Sequence, residues 1–513
     1  MDIRERLKYH LKAHPDKTAV IFRKENISFR QLAQRAFRLA NALAANGLKQ
    51  GEKVAVYLPN WPQYIYTYLG AWCSGATAVP LDFMLTQEEI ISCLSHAQAK
   101  ALVIKPKANL SLDAIREACP QLKVVISCSD TQEGCFLFED LIEKGDDSEP
   151  NAKVDEKDCA IIFYTSGTTG RPKGVIINYR QLEAPPKGME YFVPFREDEM
   201  SLCALPFSHL GGLIYIEVIL AFGTSFVLME RFMPLEFLRN VQEHRINWFW
   251  MVPSMYYALL QLKEFERFDL SSLRWIVTFG ASNSPEALRR FHQYCPDAHL
   301  LNGWGMTETN APSVVLSVGS TKIESVGRPV PWIEVKILDN EDRELSVGSI
   351  GEIAVRGWSV TEGYYRDPES TSQAMRNGWF HTGDLGRFDE EGDLYIVGRK
   401  KEMIKVSGEI VFEPEIEAVL QRHPKVHEAA VVGVPDRLRG ELPKAFLVLK
   451  PGEEADEEEL RYFCRKHLAH FKIPHIFEFA PSLPKNRAGK IDKEFLRNPV
   501  KIKPSPDARH QSF

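Results

Sequence analysis

The sequence predicts an α/β protein: a large N-terminal domain of βαβ subdomains, a small β-barrel-like subdomain, and a small α+β domain at the C-terminal end. Three observations lead there. Segments of helical and strand period alternate from about residue 28 to 279, as βαβ units with a mostly parallel sheet require. From about 326 to 397 the pattern changes to short strands with Gly and Pro turns, which suits a small barrel-like unit. A charged knot, Arg399-Lys400-Lys401-Glu402, then precedes a fresh α+β pattern that needs no strand from the earlier sheets.

Ser28 and Gln31 form a capping box, and Leu32, Ala36, Leu39 and Leu43 hold one helical face until Gly47. Residues 54–58 follow as a strand, 64–73 as a helix and 76–79 as a strand. The same alternation returns with strand 226–229, helix 234–243 and strands 247–252 and 275–279. Beyond the knot, 414–421 and 456–469 read as helices, and 429–434 and 445–449 as strands. The expected division is an N-terminal domain over 1–398, a hinge at 399–402, a C-terminal domain over 403–498 and a disordered tail over 499–513.

An apolar content of 44% and an aromatic content of 11% suit a well-buried globular enzyme. A net charge of −6 gives no electrostatic case for nucleic acid. Nine scattered cysteines, never spaced C-x-x-C, point to reduced thiols in a cytoplasmic setting and away from a zinc site. The apolar stretch 213–229 is broken by Glu217 and Gly223 and reads as a buried helix followed by a strand, so no integral membrane segment is expected.

The stretch Tyr164-Thr165-Ser166-Gly167-Thr168-Thr169-Gly170-Arg171-Pro172-Lys173-Gly174 carries the most chemistry. Glycines let backbone N–H groups converge on an anion, hydroxyls add donors, and Lys173 adds a charge suited to phosphate. It is not a Walker loop, because Gly174 stands where that motif needs Ser or Thr. Both flanks read as buried strands. The plain alternative is a flexible surface loop.

This loop resembles the phosphate-binding signature of the adenylate-forming superfamily, in its acyl-CoA synthetase branch, and further motifs extend the resemblance from about Ile27 to Arg497. Asn302-Gly303-Trp304-Gly305-Met306-Thr307-Glu308 is similar to the family's aromatic-Gly-x-Thr-Glu motif, which implies that Trp304 faces adenine, Thr307 contacts the α-phosphate and Glu308 holds Mg²⁺. Gly280 and Ala281 match the backbone strip along adenine. His381-Thr382-Gly383-Asp384 resembles the Thr-Gly-Asp motif, with Asp384 on the ribose hydroxyls and Arg399 as companion. Lys490 matches the closing lysine that reaches the carboxylate and α-phosphate. The resemblance implies ATP contacts at Thr165, Ser166, Gly167, Thr168, Thr169, Gly170 and Lys173. It implies an acyl pocket near His209, Phe279 and Gly303, a hinge at Lys401, and Gly408 lining a pantetheine tunnel after rotation of a mobile C-terminal domain.

These matches imply an ATP-dependent carboxylic acid–CoA ligase working through acyl-AMP, with Mg²⁺ and coenzyme A, on a fatty or other small carboxylic acid. Aryl (4-coumarate-like) and carnitine-like acids remain alternatives, as does a nucleotide-binding sensor on the same fold; the sequence leaves room for a homodimer. Three positions depart from the family pattern: Phe279 stands where glycine is common, Pro414 is displaced by one residue, and Arg487 replaces a small residue. His209 taken alone reads more readily as a structural histidine, the resemblance giving it the pocket role, and Trp248-Phe249-Trp250 reads as core, since alternate strand residues face opposite ways.

Overall fold

Ser28 accepts from the N–H of Gln31 at 3.2 Å, and the Gln31 side chain accepts from the N–H of Ser28 at 2.9 Å. This reciprocal cap starts the helix Phe29–Ala45, whose buried face includes Leu32, Ala36, Leu39 and Leu43. The computed structural model describes residues 2–129, 133–165, 173–281, 283–406, 409–486 and 490–497. The tail expected after residue 499 lies outside them.

The large N-terminal domain is built on two sheets of βαβ type. In the seven-stranded sheet, Lys53–Tyr57, Thr77–Pro80, Ala101–Ile104 and Val124–Ser127 run parallel, and the hairpin Cys159–Thr165/Lys173–Asn178 forms one edge. That hairpin carries the glycine-rich loop, so the loop joins strand to strand as expected. In the nine-stranded sheet, Met200–Cys203, Trp248–Met251, Trp275–Thr278 and His299–Trp304 are parallel neighbours. The stretch 213–229 becomes the helix Leu210–Phe222 and the strand Ser225–Leu228. Trp248, Phe249 and Trp250 are all buried, in keeping with a packing role.

The barrel-like stretch forms a five-stranded antiparallel sheet, with Ile333–Leu338, Gly351–Gly357, Trp379–Phe388 and Leu394–Arg399 among its strands. Its strand pairings run as an open sheet and do not close a ring. The smaller C-terminal α+β domain packs helices Glu413–Gln421 and Glu457–His467 on strands that include Val426–Asp436 and Gly440–Leu449, and it has its own apolar core around Ile416, Val431, Leu447 and Leu460. The displaced proline has a structural consequence. Pro414 packs against Gly398, 3.4 Å from where a Cβ would stand. The freed position, Glu413, turns a buried carboxylate to Lys493 at 3.0 Å and Arg497 at 2.5 Å. Arg487 lies outside the described residues.

Candidate active site

The site forms where the carboxyl ends of Trp275–Thr278 and His299–Trp304 meet the hairpin and the antiparallel sheet, the usual ligand position in an open α/β sheet. Gly280, at φ +88°, follows the first strand and adopts a turn that L side chains resist. The one-turn helix Thr307–Thr309 follows the second, and the N–H of Thr361 donates to the Glu308 carbonyl at 2.7 Å, fixing that turn.

Glu308 is buried, and its Oε1 accepts from the Tyr364 hydroxyl at 3.0 Å. Burial raises its pKa above the usual carboxylate range; the Tyr364 bond and the Arg399 charge pull the other way. The face of the Tyr364 ring lies 5.0 Å from Lys173 Nζ, so one tyrosine joins the lysine to the acid. Residues 361–365 reach this place because they zip along the strand after the glycine-rich loop: Ile176 N–H donates to Gly363 at 3.3 Å and Tyr365 N–H to Gly174 at 2.7 Å.

Asp384 follows Gly383, a turn residue at φ +71°. Thr382 holds that turn, donating to the Ile353 carbonyl at 2.7 Å and accepting from the Asp384 N–H at 3.1 Å. The buried Asp384 carboxylate takes Trp304 Nε1 on Oδ2 at 2.9 Å and Arg399 Nε on Oδ1 at 3.1 Å. Its pKa is raised by burial, against the opposing pull of Arg399 and Trp304. Trp304 is therefore tied by its indole edge to the aspartate and is only 8% exposed, a link the sequence did not suggest. Glu352 braces the same turn, accepting from Gly383 N–H at 3.2 Å and Lys400 Nζ at 3.1 Å.

Lys490 comes from the far end of the chain. Its Cε lies 3.9 Å from where a Cβ on Gly280 would stand, and it is close enough to feel the charges of Arg399, Asp384 and Glu402. Burial lowers its pKa, with Arg399 adding to the effect.

Beside this cluster, His209 stands at the N-cap position of the helix Leu210–Phe222 without a side-chain capping bond, and its Nε2 lies 3.0 Å from Asp82 Oδ2. Gly212, one turn in, must be glycine: a Cβ there would sit 2.3 Å from the Pro206 carbonyl oxygen. Phe279 packs its ring on Gly211.

The structure thus brings together Lys173, Thr165 (paired with Lys173 across the hairpin), Trp304, Thr307, Glu308, Asp384, Arg399, Gly280 and Lys490. Ala281 is exposed at the rim, and Lys401 is exposed in the one-turn helix Lys400–Glu402. Gly303 is buried against Val277 and the strand Val314–Val315, so any contact with a substrate would come through its backbone. Ser166, Gly167, Thr168, Thr169, Gly170 and Gly408 lie outside the described residues. Sequence reasoning missed Tyr364, Asp82 and Glu352. The Gly363-Tyr364-Tyr365 triplet was a signal for the first; the other two act through partners distant in the chain.

The donor set suits a nucleoside triphosphate. It has a lysine beside a strand-to-strand loop, a buried aspartate paired with an exposed arginine for a diol, and a second lysine near that pair. Residues 7–365 match the family model for the AMP-binding enzyme, and residues 415–490 match that for the AMP-binding enzyme C-terminal domain. The chain belongs to the AMP-binding enzyme family. It is an adenylate-forming ligase of the acyl-CoA synthetase branch. It is 33% identical over 511 residues to a long-chain-fatty-acid–CoA ligase of Bacillus subtilis (strain 168), covering 93% of this chain and 90% of that one. Among solved structures it resembles the anthranilate CoA ligase AuaEII in complex with anthranoyl-AMP, with a TM-score of 0.91 and 27% identity over 97% of this chain and 96% of that one. It also resembles ATP-bound MatB from Rhodopseudomonas palustris, with a TM-score of 0.90 and 30% identity over 98% and 99%. Among the described residues no helix is long and apolar enough to cross a membrane.

Proposed function

We propose that this AMP-binding enzyme joins a carboxylic acid to coenzyme A in two steps at the Lys173–Glu308–Asp384–Lys490 cluster. The single observation carrying the assignment is the convergence of Lys490 on Gly280, beside the Asp384–Arg399 pair. In the first step an oxygen of the acid attacks the α-phosphorus of ATP. The bond from that phosphorus to the bridging oxygen breaks, and pyrophosphate leaves. In the second, the thiol sulfur of CoA attacks the acyl carbon of acyl-AMP and AMP departs.

Each residue has a separable task. Asp384, oriented by Trp304 and Arg399, accepts the ribose hydroxyls, and Gly280 and Ala281 border the base. Thr307 donates to the α-phosphate. Lys173, with Thr165 and the loop between them, grips the departing pyrophosphate. Lys490 cancels repulsion between two anions as they meet, and losing one such preorganised donor costs about 10²–10³ in rate.

Glu308 fits a magnesium ion. It is a hard oxygen donor, its described side-chain partner is only the neutral Tyr364 hydroxyl, and burial disfavours its charge until a cation arrives. When bound with ATP, the ion would neutralise charge on the phosphates. Lys401 would act as the hinge on which the C-terminal domain turns between the steps, with 399–402 as the boundary. The exposure of Lys401 and the packing of Pro414 on Gly398 support that placement.

The test is direct. The purified chain is incubated with ATP, Mg²⁺, CoA and a panel of aliphatic, aryl and zwitterionic acids, and acid-dependent pyrophosphate and acyl-CoA are measured. ATP binding without pyrophosphate from any acid would favour the nucleotide sensor instead.

A further inference from the structure

An aromatic side chain stands beside the lysine proposed to meet the carboxylate. Phe279 immediately precedes Gly280, against which Lys490 rests. Its ring reaches across to the helix Leu210–Phe222. A Cβ built on Gly211 would lie 3.0 Å from Phe279 Cζ and 3.2 Å from both its Cε2 and Leu205 Cδ1. Gly211 is thus the complement of Phe279: the phenyl ring occupies the space that a side chain at 211 would take.

The helix that Phe279 meets is itself tightly packed. Tyr215 lies one turn beyond Gly211 on the same helical face. It is fully buried and is pinned at both ends of its hydroxyl, donating to the Leu202 carbonyl at 2.8 Å and accepting from Trp250 N–H at 2.8 Å. Trp248 and Trp250, two residues apart on a strand, present the same face and both pack on it, with centroids 5.4 and 4.7 Å away. A tyrosine fixed to two backbone groups holds this stretch of the helix in place, since moving it would leave both groups unpaired. At the start of the same helix, the Asp82–His209 pair places polar groups.

Building on the ligase reading, we infer that Phe279, seated on Gly211, makes this chain a ligase for compact carboxylic acids of the acetate-to-butyrate class. Each further methylene that a pocket buries is worth about fourfold in affinity, and here the phenyl ring denies that gain from the start of the chain.

The experiment compares kcat/KM for acetate, butyrate, octanoate, palmitate and benzoate in the wild type, F279A and F279L, following pyrophosphate with ATP, Mg²⁺ and CoA. The expected wild-type profile peaks at acetate or butyrate and falls about tenfold or more by octanoate. F279A should raise the octanoate-to-butyrate ratio about tenfold, and F279L, the milder change, by less. A wild type that prefers octanoate, palmitate or benzoate overturns the inference while leaving the ligase reading intact, and so does an unchanged ratio in a folded Phe279 variant. Silence with every acid, in a protein that binds ATP, is a different result: it overturns the ligase reading and this inference together.

Discussion

The hydroxyl of Tyr364 donates to Oε1 of Glu308 at 3.0 Å, while its ring face lies 5.0 Å from Lys173 Nζ. One side chain thereby sets the spacing between the acid proposed to hold magnesium and the lysine proposed to hold phosphate. Tyr364→Phe keeps the ring and removes the bond. Hydrogen bonds to charged groups contribute about 1.5–3 kcal/mol, so kcat/KM for Mg·ATP should fall about 10- to 100-fold, with little change in the acid's KM. Steady-state kinetics with ATP varied would show it, and an unaltered ATP dependence would remove Tyr364 from the site.

Trp304→Phe separates two roles of the indole. Phenylalanine keeps a flat face but leaves Asp384 without the Nε1 donor at 2.9 Å. ATP affinity should weaken about tenfold or more, as expected for a lost bond to a charged acceptor. If stacking were the sole role, titration calorimetry would find nearly wild-type affinity.

Lys490→Ala should abolish acyl-AMP formation and largely spare thioester synthesis from supplied acyl-AMP. Lys401→Pro should do the reverse. Single-turnover assays of each half-reaction distinguish these outcomes, and equal loss of both steps in both variants would argue against a turning C-terminal domain.

The buried carboxylates make a prediction about pH. Burial raises the pKa of both Glu308 and Asp384, so each binds its proton more tightly in the folded than in the unfolded chain. Their charged forms therefore cost stability above their folded-state pKa values, and that cost fades as pH falls toward the unfolded values. Adenylation should accordingly begin to fail at a higher pH than ordinary carboxylates would impose. Asp384→Asn should melt at a higher temperature than the wild type at pH 7 while losing ATP affinity. A lower melting temperature would mean that the Arg399 pair outweighs the burial cost.

Glu413→Ala tests the C-terminal anchor. Lys493 and Arg497 both meet this buried carboxylate, three and seven residues beyond Lys490. Lys493 keeps Glu417 at 2.7 Å and Arg497 is partly exposed, so the loss should fall below the about 3–5 kcal/mol of a buried pair whose remaining charge is stranded. Denaturant unfolding should show that loss. Adenylation should drop more than thioester formation, since the anchored segment carries Lys490.

The sequence by itself determined the chemistry and most of the framework. Glycine nests, capping boxes and periodic apolar faces are local: Ser28 and Gln31 are three residues apart, and the hairpin flanks of the glycine-rich loop announce themselves as strands. The family motifs identified Lys173, Glu308, Asp384, Arg399 and Lys490 one segment at a time. Only the tertiary structure decided how those segments meet. Tyr364 reaches Glu308 because residues 361–365 pair with the strand after the loop, Asp82 finds His209 across 127 positions, and Phe279 fits the missing side chain of Gly211. Such contacts depend on packing between elements distant in the chain, and no periodicity or short motif encodes which side chain will face which.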